Sequence, residues 1–308
     1  MRRSRLSLTP PRIVWDKCHT NAFLHGVETS LATGARIQEI APESPKGWYG
    51  WGLAYLVSGD IAQAIKYFAD AIERDPGDYE MIAAMTRFWL VLGDADEAEH
   101  WQTRAEAIGA GQPIPIWSRL LVLKYREQHD LARDLAGKAL AQNLENRHGS
   151  QYAFRQTFAF ESARDGDYQA ALASFRESAP WAFEPQLVLP SKLTEQVFDI
   201  FQIAALLKLA DPTSDRPAEL LEAAEGVIDQ LPPYWVVYSG DIGRAAIATI
   251  RGDSEAALQW LNSAWDKRWR TDWRNILLDD VVFSQLATEP GYQELVARFE
   301  ADMDQQRQ

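Results

Sequence analysis

The feature that most constrains the fold is a short stretch that recurs along the chain. "SGDIAQAIKYFADAIERDP" begins at Ser58, and "LGDADEAEHWQTRAEAIGA" begins at Leu92. Their Gly-Asp pairs lie 34 residues apart, and two further copies follow at Gly166-Asp167 and Gly252-Asp253. Repetition at this period predicts stacked supersecondary units that bury their apolar faces against one another and share one core.

The spacing inside each copy predicts a helix after the Gly-Asp turn. In the first copy Ala64, Phe68 and Ala71 share one helical face, because residues four and seven apart are neighbours on a helix. The small residues let a second helix approach, and the large one fills the space beside them. Gly suits a left-handed turn, and the Asp side chain caps the next helix. The other copies keep this order at Ala98, Trp101 and Ala105, at Ala171, Phe175 and Ser178, and at Ala257, Leu261 and Ala264.

Residues 48–76, "WYGWGLAYLVSGDIAQAIKYFADAIERDP", resemble a tetratricopeptide repeat. The residues at that repeat's signature spacing are Trp48, Gly52, Tyr55, Ala64, Phe68, Ala71 and Pro76. The resemblance extends to 79–110, 152–179 and 238–265, and it is weakest in "QHDLARDLAGKAL", where Asp130 takes the aspartate position. It implies an all-α protein, an α-solenoid of about seven helix pairs in a right-handed superhelix with a C-terminal closing helix.

The repeats are interrupted once. The interval from Asp167 to Asp253 is longer than two ideal units, and the surplus lies in "APWAFEPQLVLPS" (179–191) and "ADPTSDRPAE" (210–219). Both stretches are rich in proline and turn-forming residues. We therefore predict an N-terminal tail at 1–11, an N-terminal repeat stack at 12–179, a joint at 180–191, and a C-terminal stack with its closing segment at 192–304.

The end of the chain suggests an alternative function. "ILLDDVVFSQLATEPGYQELVARFEADM" resembles the closing segment of the repeat regions in bacterial adenylate cyclases and winged-helix regulators. The residues that carry this resemblance are Asp280, Phe283, Leu286, Pro290, Tyr292 and Leu295. It implies a sensory or regulatory region whose catalytic or DNA-binding head is separate or missing, since neither head's pattern precedes the repeats.

A basic, aromatic strip, "AWDKRWRTDWRN", occupies residues 264–275. Trp265, Trp269 and Trp273 are four residues apart, with lysine and arginine between them. Such a strip suits nucleic-acid stacking, or it seals the open end of a solenoid, with indoles buried under arginine stems. The formal net charge of -13 disfavours a phosphate backbone and favours the second interpretation.

Composition and motifs argue against an enzyme, a cofactor and a metal site. The chain contains neither a G-x-S-x-G motif nor a glycine-rich phosphate loop, and its five histidines lack metal-ligand spacing. Asp279-Asp280 could bind a cation, but capping the final helices is the commoner use of such residues. One cysteine excludes an internal disulfide, and neither an export signal nor an 18-residue apolar run is present. We therefore expect a cytoplasmic protein.

The resemblance to tetratricopeptide repeats implies a concave groove lined by the first helix of each pair. We expect this groove to bind a protein or peptide, which can be acidic, rather than nucleic acid or a membrane. Four arginines would contact carboxylates, with Tyr49 and Phe160 as apolar anchors. The alternative is that these arginines pair with acids of neighbouring repeats. The positions carried over from the repeat are Tyr49, Leu53, Arg87, Leu90, Arg119, Leu123, Arg126, Phe160 and Arg164.

Overall fold

A computed structural model describes residues 27–145, 150–188, 197–228 and 240–308. These ranges contain fifteen α-helices and lack β-strands, which confirms the all-α prediction. The predicted tail and residues 12–26 of the predicted first stack lie outside the described residues. The helices are α1 (Val27–Ile40), α2 (Pro45–Val57), α3 (Ile61–Arg74), α4 (Tyr79–Leu92), α5 (Ala95–Ile108), α6 (Pro113–Tyr125), α7 (His129–Ala141), α8 (Ser150–Arg164), α9 (Tyr168–Ala173), α10 (Val197–Ala210), α11 (Arg216–Ile228), α12 (Asp241–Arg251), α13 (Ser254–Asp266), α14 (Trp273–Leu277) and α15 (Pro290–Arg307).

Helices α2 to α13 form six consecutive pairs in the described ranges, and small residues lie where the paired helices meet. Ala64 of α3 and Ala171 of α9 are completely buried. A Cβ atom at Gly52 would lie 3.0 Å from the Phe68 ring, so glycine lets α2 approach α3 closely. This packing follows the predicted small and large positions, and it confirms the solenoid.

The Gly-Asp turns have the predicted geometry. Gly59, Gly93, Gly166 and Gly252 have φ angles of 77°, 85°, 79° and 87°, in the left-handed region that glycine enters without steric cost. The following aspartates cap α3, α5, α9 and α13: each side-chain oxygen accepts a hydrogen bond from the backbone N–H three residues later, at 2.9–3.1 Å. Each turn therefore ends one helix and starts the next.

The third pair, α6 and α7, differs from the prediction. Glu127 adopts the left-handed conformation, with φ 57°, and Gln128 is the N-cap of α7. Asp130 lies in the first turn of the helix, so its predicted capping role is wrong. The repeat is in register two residues earlier than expected, because Ala132, Ala136 and Ala139 are the buried residues at the four-and-seven spacing.

After α13 the chain turns back across the repeats. We call residues 268–282 the return segment; it contains the short helix α14 and leads into a 3₁₀ turn at Phe283–Leu286. Arg268 and Asp272 have φ angles of 65° and 55°, which are unusual for residues with a side chain. The final helix α15 then packs against α3, α4 and α13. The predicted closing helix is thus present.

Candidate functional site

The return segment occupies the inner face of the solenoid, which is lined by the first helix of each pair. Thr271 Oγ1 donates a hydrogen bond to the Leu56 carbonyl of α2, at 3.3 Å. Trp273 Nε1 donates to the Val91 carbonyl of α4, at 3.1 Å. Both carbonyls lie in the last turn of their helices, where backbone oxygens lack an intrahelical donor. The Leu56 carbonyl also accepts from the Gly59 N–H at 3.1 Å, so the segment gives it a second donor, and it gives the Val91 carbonyl a donor from outside its own helix.

Asp280 anchors the far end of the return segment. It is completely buried, and its carboxylate accepts hydrogen bonds from Gln156 Nε2 of α8 at 2.8 Å and Gln202 Nε2 of α10 at 2.6 Å. The backbone N–H of Val282 donates a third at 2.8 Å. Three donors offset part of the free-energy cost of removing a carboxylate from water. The final helices have Asp272 and Glu289 at their N-caps, so Asp280 does not cap a helix as expected; its carboxylate instead holds a local turn at Val282 and links the segment to the two glutamines.

Lys124 of α6 holds the middle of the return segment. Its side chain is almost fully buried, and Nζ donates to Asn275 Oδ1 at 2.5 Å. The same nitrogen lies 3.7 Å from Asp279 Oδ2 and 5.8 Å from the centre of the Phe160 ring. Asn275 in turn donates to Gln156 Oε1 at 3.3 Å. Helices α6 and α8 thus contact the segment through one polar network.

The tryptophans of the basic strip pack around Phe299 of α15. The ring centres of Trp265, Trp269 and Trp273 lie 4.7, 5.7 and 5.2 Å from that of Phe299. Trp273 is only 1% exposed. The indoles therefore seal the core, as the second interpretation of this strip predicted, and Trp273 is not available to stack on a base.

Arg270 is enclosed by the same aromatic cluster. Its guanidinium lies 3.6 Å from the Trp265 ring centre, pairs with Asp302 of α15, and donates to the Trp265 and Trp269 carbonyls at 3.0 Å each. Desolvation lowers the pKa of Arg270, and the Asp302 carboxylate opposes this shift. The return segment and α15 are consequently joined by a partly buried ion pair.

The end of α15 contacts the glycine turns of the first two complete pairs. Gln306 Nε2 donates to the Gly59 carbonyl at 3.0 Å, and Arg307 Nη1 donates to the Gly93 carbonyl at 3.1 Å. A Cβ atom at Gly59 would lie 2.4 Å from the Arg268 carbonyl oxygen. The glycine is therefore required for the turn and also for the close approach of the return segment.

Two buried aspartates, Asp199 of α10 and Asp272 of the return segment, carry charges that their neighbours stabilise only in part. Burial raises the pKa of Asp199, while Arg155 at 3.6 Å and Ser178 at 3.3 Å favour its charged form. Burial also raises the pKa of Asp272, with Arg87 and Lys124 acting in the opposite direction. In both cases desolvation outweighs the nearby cations.

Of the four arginines predicted to line the groove, the structure places one against the return segment. Arg87 Nε lies 3.3 Å from Asp272 Oδ1. Arg119 pairs with Glu106 at 3.0 Å, and Arg126 pairs with Asp96 at 2.6 Å and Glu99 at 2.9 Å, so both are tied to α5. Arg164 pairs with Glu161 of its own helix at 2.8 Å. All four have acidic neighbours, so a track of unpaired arginines is not present, but only Arg119 and Arg126 pair with acids of a neighbouring repeat, as the alternative stated above expected.

The predicted apolar groove positions are largely interior. Leu53 and Phe160 are 3% and 7% exposed, and the Tyr49 ring packs at 5.1 Å from Phe68. Leu90 is also buried, and Leu123 packs against the core of the third pair. The inner-face residues that the sequence analysis missed are Lys124, Gln156 and Gln202, which resemble ordinary polar helix residues. Trp117 and Lys124 are seven residues apart and therefore share one face of α6. The structure places the Trp117 ring beside Arg87, so this spacing is a sequence signal for the inner face of α6.

The described residues also bear on metal binding and membrane insertion. No three histidine, cysteine or acidic side chains within the described ranges are grouped as metal ligands. In the same ranges, every helix is too short or too polar to cross a bilayer. The single cysteine, Cys18, and the adjacent His19 lie outside the described residues.

Comparison with known proteins identifies one repeat and the fold. Residues 45–78 match the family model described as "Tetratricopeptide repeat". The curated proteins searched include no match to this sequence.

Two solved structures share the fold. One is the Rap protein complexed with competence and sporulation factor, at a TM-score of 0.65 and 14% identity, covering 99% of this chain and 90% of that one. The other is the APC/C hetero-tetramer Cut9-Hcn1, at a TM-score of 0.55 and 13% identity. There the match covers 94% of this chain, which spans only 48% of its counterpart. At these identities the likeness concerns the fold alone. The chain therefore contains a tetratricopeptide repeat at 45–78 within a solenoid of the tetratricopeptide-repeat kind.

Proposed function

We propose that the protein is a non-catalytic interaction scaffold whose inner face binds an extended protein segment. The observation that carries this proposal is the contact between the return segment and the first helices of five successive pairs, α2, α4, α6, α8 and α10. The groove therefore has hydrogen-bonding groups and aromatic side chains that hold a segment combining extended residues with one short helical turn. In the structure described above, the chain's own return segment occupies the groove, and we call this arrangement the closed form.

The fold supports this assignment. The two similar structures are both complexes, one of Rap protein with competence and sporulation factor and one of Cut9 with Hcn1. Repeat solenoids expose extended concave surfaces that contact partners over several units. Neither named structure is a cyclase or a winged-helix regulator, so the alternative function depends on the resemblance of the C-terminal segment alone.

A partner that enters the groove has to displace the return segment. Such a partner binds more tightly when the segment is held less firmly, because less of its binding energy goes into the displacement. Arg270→Ala loosens the segment by removing the pair with Asp302. Arg298→Ala is the matched control, since Arg298 also lies over the Trp265 ring, at 4.7 Å, but on the surface.

The test combines partner capture with hydrogen exchange. Proteins captured from extracts of the source organism by the full chain are quantified for the wild type, Arg270→Ala and Arg298→Ala. We expect at least one protein to be enriched by Arg270→Ala alone, and its binding to accelerate amide exchange in residues 268–282 while α4 and α6 stay protected. A captured partner that leaves exchange in 268–282 unchanged binds elsewhere and contradicts groove binding.

A further inference from the structure

The contact between Arg87 and Asp272 is the least satisfied part of the groove. Arg87 Nε lies 3.3 Å from Asp272 Oδ1, but the geometry is not that of a hydrogen bond and this buried nitrogen lacks a hydrogen-bond partner. The guanidinium carbon lies 5.3 and 5.7 Å from the ring centres of Phe88 and Trp117. An arginine between aromatic walls with an unused donor is suited to bind a carboxylate through paired hydrogen bonds.

Asp272 fills this position at a cost. Its φ of 55° lies in the left-handed region, which aspartate enters more readily than most residues but at a higher free energy than glycine. It is 6% exposed. Burial raises the pKa of its carboxyl group by more than Arg87 and Lys124 lower it. Strained residues of this kind mark positions where the surrounding structure imposes a conformation. The return segment is therefore an imperfect ligand at this point.

Lys124 supplies a second positive charge. Its Nζ contacts Asn275 and lies near Asp279, and its charge also acts on Asp272. The Lys124 side chain is 1% exposed, and that of Arg87 is 21% exposed, so both charges act in a poorly solvated environment. Electrostatic attraction is stronger there than at the surface.

We propose that Arg87, with the buried charge of Lys124 on the next first helix, forms a carboxylate-binding subsite, which Asp272 fills in the closed form and which an aspartate side chain of a partner segment fills in the bound form. This inference rests on the proposed groove function and specifies its chemistry. The partner's aspartate takes the place of Asp272, and the return segment leaves without any covalent change. An unstrained partner backbone lets the carboxylate reach the unused Arg87 donor.

The first experiment uses acetate as the probe. Asp272→Gly removes the carboxymethyl group and keeps a residue that tolerates the observed φ. Acetate has the size and charge of the missing group, so we expect a saturable rise of about 2 °C or more in the melting temperature of this variant. Chloride at equal ionic strength and the neutral isostere acetamide should not reproduce it. The wild type, whose subsite is filled, should not respond.

A double variant, Asp272→Gly with Arg87→Met, identifies the cation involved. Methionine retains apolar bulk between the aromatic rings and lacks the charge, so the acetate response should disappear. Equal responses of the wild type and Asp272→Gly, or no response of Asp272→Gly, would overturn the subsite. If the double variant does not fold, the comparison of the wild type with Asp272→Gly decides the question.

The second experiment uses a labelled synthetic peptide with the sequence of residues 268–282, added to the full chain carrying Asp272→Gly. We expect it to bind about tenfold more tightly than the same peptide carrying Asp272→Asn, which corresponds to about 1.4 kcal/mol. Equal affinities, or no binding of either peptide, would overturn exchange at the subsite. The two proposals fail separately: a captured partner that opens residues 268–282 without an acetate response leaves the scaffold standing, whereas an acetate response without any partner leaves only the subsite.

Discussion

The first complete repeat and the return segment are held in place by contacts of very different range. In the repeat, Gly52 and Phe68 pack against each other only one helix apart. In the return segment, Asn275 and Thr271 bond to residues 119 and 215 positions earlier in the chain. Local contacts form within one helix pair, whereas the return segment requires several pairs to be stacked first. The proposed partner exchange requires this difference, because the stacked pairs have to persist when the return segment leaves the groove.

The largest expected effect tests the filled groove. Trp273→Ala removes a fully buried indole that packs on Phe299 and bonds to Val91. We expect a loss of about 3–5 kcal/mol in the free energy of unfolding, measured by urea denaturation. Trp260→Ala is the matched control, because Trp260 is 36% exposed and its removal should cost about 1 kcal/mol or less. Equal losses would mean that Trp273 is not buried in the groove.

Two glycine substitutions distinguish the stability cost of altering a turn from the cost of disturbing its contact with the return segment. Gly59→Ala and Gly166→Ala both place a Cβ atom at a positive φ, at a cost of about 1–2 kcal/mol. A Cβ at Gly59 also meets the Arg268 carbonyl, whereas a Cβ at Gly166 meets nothing within 4 Å. Overpacking should add about 1–3 kcal/mol at Gly59 alone. Melting curves that fall equally would show that the return segment does not approach this turn.

The packing within a repeat is tested by Ala64→Leu. Ala64 is completely buried between α2 and α3, so the added methyl groups have no free volume. We expect a loss of about 1–3 kcal/mol. Ala62→Leu, on the partly exposed side of the same helix, is the control and should cost little. An unchanged melting temperature for Ala64→Leu would contradict the helix register.

The smallest effect is a pH dependence. Burial raises the pKa of Asp199 in the folded chain, so folding binds protons, and this contribution is present below the ordinary aspartate pKa of about 3.9 and is lost as pH rises through the folded value. Asp199→Asn lacks this term. The stability of the variant relative to the wild type should therefore decrease as pH falls from 7 to 4. A difference that is constant over this range would show that the carboxyl is not desolvated.

The repeats could be predicted because their determinants are local. Gly59, Asp60 and Ala64 define a turn, a cap and a packing position within six residues, and the same order recurs. The predicted register of the third pair was wrong by two residues, because Glu127 and Gln128 replace the Gly-Asp pair and Asp130 provided a misleading match.

The occupied groove could not be predicted in the same way. The partners of Asp280 are Gln156 and Gln202, which are 124 and 78 residues away and which periodicity does not distinguish from surface glutamines. Arg119 and Arg126 were expected on the inner face because the repeat register was carried through the weak third unit. Their pairing with α5 shows how a small register error rotates a side chain out of a groove.

The most direct test of the occupied groove is a double-mutant cycle between Gln156 and Asp280. Gln156→Ala, Asp280→Ala and the double variant are compared with the wild type by the free energy of unfolding in urea. Because the two side chains share a buried hydrogen bond of 2.8 Å across 124 residues, we predict a coupling energy of about 0.5–3 kcal/mol. Additivity within about 0.3 kcal/mol would contradict the account, since residues that do not touch do not couple.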